Sequence, residues 1–356
     1  MPPDEARRLV WADQLSESGD PRGELITIQC ALDRGDLARD ASLRLRRREA
    51  ELLEQVKGLD GLAFSWTWTR GAIEWISIDA DVFLQRREEL FEHAPFLHRL
   101  QLVGFPDDPH ETASLLEEVL EDERIDGLAL GTPEDPALLV ELAASGCLPR
   151  LRQIELQGLS LGMVMRNDAL GHIEDLTLTN LWDPFSARME EATSLAPRRL
   201  RLQSPSQQRQ TVEIDSLAHA GFFARLEDLE LEWFVRPNVF VQGSAALFGR
   251  LRRLRLPMGL AATPLSLATA PTDLGNVEEL TISFFGNEDE VDFGPLLTGE
   301  YFQRLRVLRV GPGLTTNEKV RALVQSPLAR TLEVLDLRRN RWQLDLELDW
   351  DGIILA

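Results

Sequence analysis

Apolar residues recur along this chain as a short x-x-apolar-x-apolar pattern. Its copies begin at Ile73, Leu97, Ile125, Leu151, Ile173, Pro197, Leu226, Leu251, Val277, Leu305 and Leu332. The spacings run 24, 28, 26, 22, 24, 29, 25, 26, 28 and 27 residues. Period-two alternation predicts a β-strand in each copy, and a fixed spacing of this size predicts a repeat architecture. Helical spacing fills several of the intervals, over 111–122, 136–144, 185–195 and 317–324. No single unit can bury its apolar face, so neighbours must stack into a continuous core. The predicted fold class is α/β, a right-handed solenoid with a parallel β-sheet on its concave face.

Three amphipathic helices are predicted ahead of the array. The first runs over 4–17 on Leu9, Trp11, Ala12 and Leu15, and ends at Gly19. The second starts with Asp20 as N-cap and Pro21 in the first helical position, and stops near Gly35. The third covers 38–56. Phe64 to Trp68 and Ile73 to Ile78 alternate as strands around Arg70-Gly71, which predicts an opening hairpin. Leu344 to Trp350 alternates strictly with its acids outward and predicts a closing strand whose carboxylates deter edge pairing. Residues 1–60 therefore form a helical module. Residues 61–356 form a solenoid of about eleven irregular repeats, with an N-terminal hairpin cap and a C-terminal strand cap over 332–356.

Two resemblances sharpen this reading. Leu332 to Asn340, L-E-V-L-D-L-R-R-N, fits the leucine-rich-repeat pattern L-x-x-L-x-L-x-x-N at every fixed position. The asparagine recurs nowhere else. Phe105, Leu159, Leu181, Phe234, Gly259, Phe285 and Gly313 hold its place, so irregular turns plugged by apolar groups are expected. Near the N-terminus, Arg8-Leu9-Val10-Trp11-Ala12-Asp13-Gln14-Leu15 is followed by Gly19-Asp20-Pro21-Arg22-Gly23-Glu24-Leu25-Ile26 and Gln29. These residues resemble the bacterial repeat-companion domain of myxobacterial and planctomycete paralogous families. The family pattern has Tyr where this chain has Trp11, and Trp where it has Gln14. No counterpart of the family's leading helix precedes the motif, which points to a native start upstream of Met1. The resemblance implies a helical neighbour of a repeat array and no activity. Within the motif, Asp20, Pro21 and Gly23 suit a helix-to-helix turn and Asp13 is placed to pair with Arg22; a docking role is the alternative.

Charge and chemistry narrow the functional classes. The net charge of −21 disfavours nucleic acid and anionic membranes as partners. Arg44, Arg46, Arg47 and Arg48 form a basic run, but Arg47 stands at i,i+4 from Glu51, as on a solvated helix face. Cys30 and Cys147 are isolated and give neither a disulfide framework nor a metal pattern. With no apolar run long enough to span a bilayer and no leader-like segment, the expectation is a cytoplasmic protein. Phosphate-binding, nucleophile-elbow and zinc motifs are missing, and His93, His98, His110, His172 and His219 are scattered. The loop 287–292 is acidic but lacks the calcium-loop order. The expectation is a scaffold with no enzymatic activity, no cofactor and no metal, binding a protein partner.

Position 2 of successive repeats reads Glu74, His98, Asp126, Arg152, Glu174, Arg198, Glu227, Arg252, Glu278, Arg306, Glu333. Acid and base alternate throughout with His98 counted as basic. Strands about 4.8 Å apart would give each charge neighbours of opposite sign. Positions 2, 3, 5, 7 and 8 are expected to face solvent. Position 8 turns large and apolar at Trp233, Met258, Phe284 and Pro312, either as an exposed anchor row or as side chains folded into the core. Arg199, Arg201, Arg253, Arg255 and Arg309 flank it at positions 3 and 5, with Asp228 and Glu230 among them. These nine residues form the candidate protein-binding site.

Overall fold

The computed structural model describes residues 3–34, 37–56, 63–106, 108–130, 148–157, 164, 168–179, 194–203, 224–231, 250–258, 275–284, 302–311, 317–337 and 352–355. The chain divides into two compact units, one of residues 1–132 and 137–151, the other of 133–136 and 152–356.

The first unit opens with helices α1 (Pro3–Glu17), α2 (Pro21–Arg34) and α3 (Arg39–Leu53). Helix α1 ends where Gly19 adopts φ 76°. There the Asp20 N–H reaches the Leu15 carbonyl at 2.9 Å and the Gly19 N–H the Ser16 carbonyl at 3.0 Å, the paired bonds of a Schellman stop. Asp20 then starts α2 by accepting from the Arg22 N–H at 2.9 Å. Gly23 sits so close to α1 that a Cβ there would come within 2.5 Å of the Ala12 carbonyl oxygen. Ala12, Ile26 and Cys30 are buried between these two helices.

Strands β1 (Ser65–Thr69) and β2 (Ala72–Asp79) form the expected antiparallel hairpin. Arg70 and Gly71 both have positive φ, 47° and 70°, as a two-residue hairpin turn requires. The register slips by one residue opposite Thr67 and Trp68, leaving Glu74 without a Cα partner in β1. After β2 come α4 (Ala80–His93), β3 (Arg99–Val103), α5 (Pro109–Leu120) and β4 (Gly127–Leu130). Asp79 caps α4 and Asp108 caps α5, the latter with Pro109 in the first turn. Strands β2, β3 and β4 pair in parallel, stacking Ile76, Leu100 and Leu128 in one buried column.

The second unit repeats this rung. Its strands are β5 (Gln153–Gln157), β6 (Asp175–Thr179), β7 (Arg199–Leu202), β8 (Asp228–Leu231), β9 (Arg253–Met258), β10 (Glu279–Phe284), β11 (Val307–Val310), β12 (Val334–Asp336) and β13 (Ile353–Leu355). Each pairs in parallel with the next. Helix α6 (Asn317–Val324) lies between β11 and β12 in the chain. Ile154, Leu176, Leu200, Leu229, Leu254, Leu280, Leu308 and Leu335 occupy one register row, and all are buried. Each such side chain contributes roughly 1.5–3 kcal/mol, so the row is a large favourable part of the unit's core. The architecture is an α/β repeat solenoid of open, mostly parallel sheet with a three-helix N-terminal module.

All eleven predicted repeat strands are present. Ten begin two residues after the first apolar position, because that residue plugs the approach to the strand. The predicted helix over 317–324 matches α6, and that over 111–122 matches α5 shifted towards Pro109. The predicted helix 136–144, most of 185–195 and the closing strand 344–350 lie outside the described residues. One rung was missed: β13 adds in parallel beside β12 through Ile353, Ile354 and Leu355. The expected solvent-facing positions also differ in places: Glu333 at position 2, Val307 and Val334 at position 3 and Ala80 at position 8 are buried, as are several residues at position 5. The buried position-5 residues are Ser77, Ala129, Thr177 and Asp336.

Candidate interaction surface and its charge networks

The candidate residues fall in three groups. Trp233 and Pro312 lie outside the described residues. Met258 and Phe284 close β9 and β10 and are register partners, so their Cα atoms stand side by side; their side chains are outside the described set. The five arginines are fully described. They lie on β7, β9 and β11, and every one contacts a carboxylate on a neighbouring strand.

Arg199 Nε stands 3.4 Å from Asp175, and Arg253 Nε 3.2 Å from Asp228. Arg201 Nε donates to Glu230 at 2.6 Å, and Arg255 reaches the same carboxylate. Arg309 Nη1 donates to Glu279 at 2.9 Å, while its Nε lies 3.9 Å from Asp336. Register explains the network. Position 3 reads Asp175, Arg199, Asp228, Arg253, Glu279 across consecutive strands, and position 5 reads Arg201, Glu230, Arg255. Burial pushes the Asp228 carboxyl above its ordinary range, against the lowering pull of Arg253 and Arg199.

The position-2 ladder has the backbone geometry its alternation implied. In the second unit the N–H groups of Glu174, Arg198, Glu227, Arg252, Glu278, Arg306 and Glu333 each donate to the carbonyl of the preceding position-2 residue, at 2.7–2.9 Å. Side chains complete some rungs. Arg198 Nη2 donates to Glu227 at 2.9 Å, and Arg306 Nε to Glu333 at 2.6 Å. The Arg198 hydrogen bond holds the Glu227 carboxyl below its usual range.

The same ladder in the first unit becomes a buried cluster. Glu74, displaced by the slipped register, receives Arg8 from α1. Arg8 is buried, donates to the Thr69 carbonyl at 3.3 Å and lies over the Phe96 ring at 4.5 Å. Arg70 stands 3.6 Å from Glu74. His98 lies 3.8 Å from Glu74 on one side and 2.6 Å from Asp126 on the other. Burial works against the imidazolium, but the two carboxylates overcome it and raise His98 to about 9. Glu74 is pushed up by burial, yet contact with His98 and the charges of Arg8, His98 and Arg70 hold it below the ordinary value. His98 is thus a cation, as the ladder assumed, and it is far from partnerless.

Two further expectations are corrected, and one contact is added. Arg22 clasps Asp20, at 2.6 Å, where Asp13 was anticipated; the shorter reach across the turn wins. The pairing expected of Arg47 belongs to Arg48, which holds Glu51 and Glu24 at 2.8 Å. Gln29 accepts from the Gly71 N–H, so the motif reaches the hairpin as well as its own helices. The motif spelled out that Arg8, Gly23 and Gln29 mattered; what they touch lies 42 to 66 residues away in the chain for Gln29 and Arg8. Cys30 is a buried free thiol whose pKa burial raises. Cys147, His219 and the acidic loop 287–292 lie outside the described residues. Among the described residues no helix is long and apolar enough to cross a membrane, and no cluster of His, Cys, Asp and Glu is placed to hold a metal.

No family model matches this chain, and no curated protein does. Among solved structures, a crystal structure of a Bacteroides fragilis protein, a structural-genomics target, aligns over 83% of this chain and 68% of that one. Identity is 14% and the TM-score 0.22, a likeness too slight to bear on function.

Proposed function

We propose that this chain is a non-enzymatic, cytoplasmic protein-binding scaffold, a bacterial leucine-rich-repeat protein with an N-terminal repeat-companion module. The observation that supports this most is the β7–β11 sheet face. It carries five long arginine side chains with partly exposed ends on a rigid parallel sheet. Strands fix such groups more firmly than loops do, and arginine is enriched in interface anchors. Its charges neutralise one another in pairs.

A second reading has support of its own. Val10 and Leu53 on the helical module are exposed, as is Phe64 before β1. A regulatory or effector component recruited through that module would use them, any catalysis residing in the partner. Affinity capture from the native host with the full chain separates the two. Loss of captured protein in Arg201→Gln/Arg253→Gln favours the sheet face; loss in Val10→Ser/Leu53→Ser favours the module. Capture unchanged in both, with both variants folded, would sink the two readings together.

A further inference from the structure

The first unit holds a groove of about 460 Å³ between α4 and α5, a size in the range of ligand pockets. Three contacts fix its walls. Asp108 starts α5 by accepting from the His110 N–H at 2.9 Å. Thr112 Oγ1 donates to the Pro106 carbonyl at 3.0 Å. Gly104 closes on the Asp79 cap of α4, where a Cβ would collide with the carboxylate. Glu111, Ser114, Leu115 and Glu118 line the groove from α5, and their i, i+3, i+4, i+7 spacing puts them on one helix face. Asp81 lines it from the first turn of α4, with His110 beside the α5 residues.

The carboxylates of this region are unevenly paired. Glu89 holds Arg86, while Glu88 and Asp122 hold Arg124, at 2.6–2.9 Å. Among the described residues Asp81, Glu111 and Glu118 have no such cation. Asp81 and Glu111 lie in first turns, where the helix dipole favours an acid. Glu118 has no such support. It lies in the last turn of α5, which holds no basic residue and where the dipole disfavours a carboxylate. A cation from outside the chain would offset that cost, and the lining selects its kind. No cluster of described residues is placed to hold a metal ion, so the carboxylates surround the groove without converging. Leu115 and Pro106 give it apolar surface among them. A lysine or arginine side chain matches both, its aliphatic stem on the apolar part and its charged head towards the carboxylates. The net charge of −21 attracts a basic partner and repels an acidic one.

We propose that the α4–α5 groove docks a basic segment of a protein partner, taking one of its lysine or arginine side chains among Asp81, Glu111 and Glu118. This rests on the scaffold reading and adds a contact on residues outside the β7–β11 face. The test is fluorescence anisotropy of the full chain with a labelled peptide of repeated Arg-Ala-Ser triplets. The controls are a Glu-Ala-Ser peptide and spermidine as competitor. The arginine peptide is expected to bind and the glutamate peptide not to. Glu111→Gln/Glu118→Gln should weaken binding about tenfold or more, with unchanged circular dichroism. Glu17→Gln/Glu54→Gln removes the same charge from the helical module and should leave affinity within about twofold. Ser114→Arg sets a cation of the chain's own in the groove and should act like the first variant; it is read in its place if that one does not fold. No binding to the wild type, equal binding to a folded groove variant, an equal loss in Glu17→Gln/Glu54→Gln, or displacement by equimolar spermidine would each overturn the proposal. Host capture that survives in Glu111→Gln/Glu118→Gln would leave the scaffold reading standing while the groove proposal fell.

Discussion

The cluster around Glu74 and the arginine rows of β7–β11 use the same chemistry to opposite ends. Both set guanidinium against carboxylate across neighbouring elements. Around Glu74, the carboxylate and Arg8 are removed from water, with side chains 13% and 2% exposed, so each needs its partner. Across β7–β11 the arginines remain in water and their pairs contribute little each, roughly 0–1 kcal/mol. Burial decides which charges fix structure and which stay available. The first cluster ties α1 and the hairpin to the opening rungs; the second joins neighbouring strands pair by pair.

That contrast can be broken in order of effect. Arg8→Met removes the cation best sealed against Glu74 and should cost about 3 kcal/mol or more, read by urea denaturation; a loss near zero would show the cluster to be dispensable. Gly71→Val should cost about 2 kcal/mol or more. A side chain there meets both positive φ and Ile26, whose Cγ1 would lie 2.6 Å from the new Cβ.

His98 gives a pH test. Its folded value is raised from 6.5 to about 9, so its contribution is complete below pH 6.5 and is lost as pH climbs towards 9. Glu74, held low, adds stability above its ordinary range and loses it on acidification. The wild type should melt higher at pH 6 than at pH 9.5, and His98→Gln should flatten that difference; an unaltered slope in the variant would assign the pH dependence elsewhere.

Arg252→Glu sets three acids in line at Glu227, position 252 and Glu278, whose backbones are hydrogen-bonded in sequence. It should cost about 1 kcal/mol at low salt and less at high salt. Arg201→Gln should change stability least, by about 0.5 kcal/mol or less. A larger loss there than in Arg8→Met would invert the comparison.

Legibility followed sequence distance. The helix stop at Gly19, the start at Asp20-Pro21 and the turn at Arg70-Gly71 depend on neighbours a few residues off, and each was readable. The rung missed at Ile353 to Leu355 offered only three apolar residues, too few to show a period. The buried position-5 residues were misjudged because alternation says which face a residue takes, not how much its neighbours overhang it.

The repeat period and the alternation of charge were written in the chain itself. Strand pairing needs only apolar residues at a constant interval, and charge order needs only that repeats stack in turn. The tertiary structure decided how deep each charge lies. Depth is set by distant segments: α1 laid over Glu74, or long arginines over short carboxylates on the next strand. Desolvation, which no local pattern encodes, seals Arg8 against Glu74 and leaves the arginine ends of the other pairs partly in solvent.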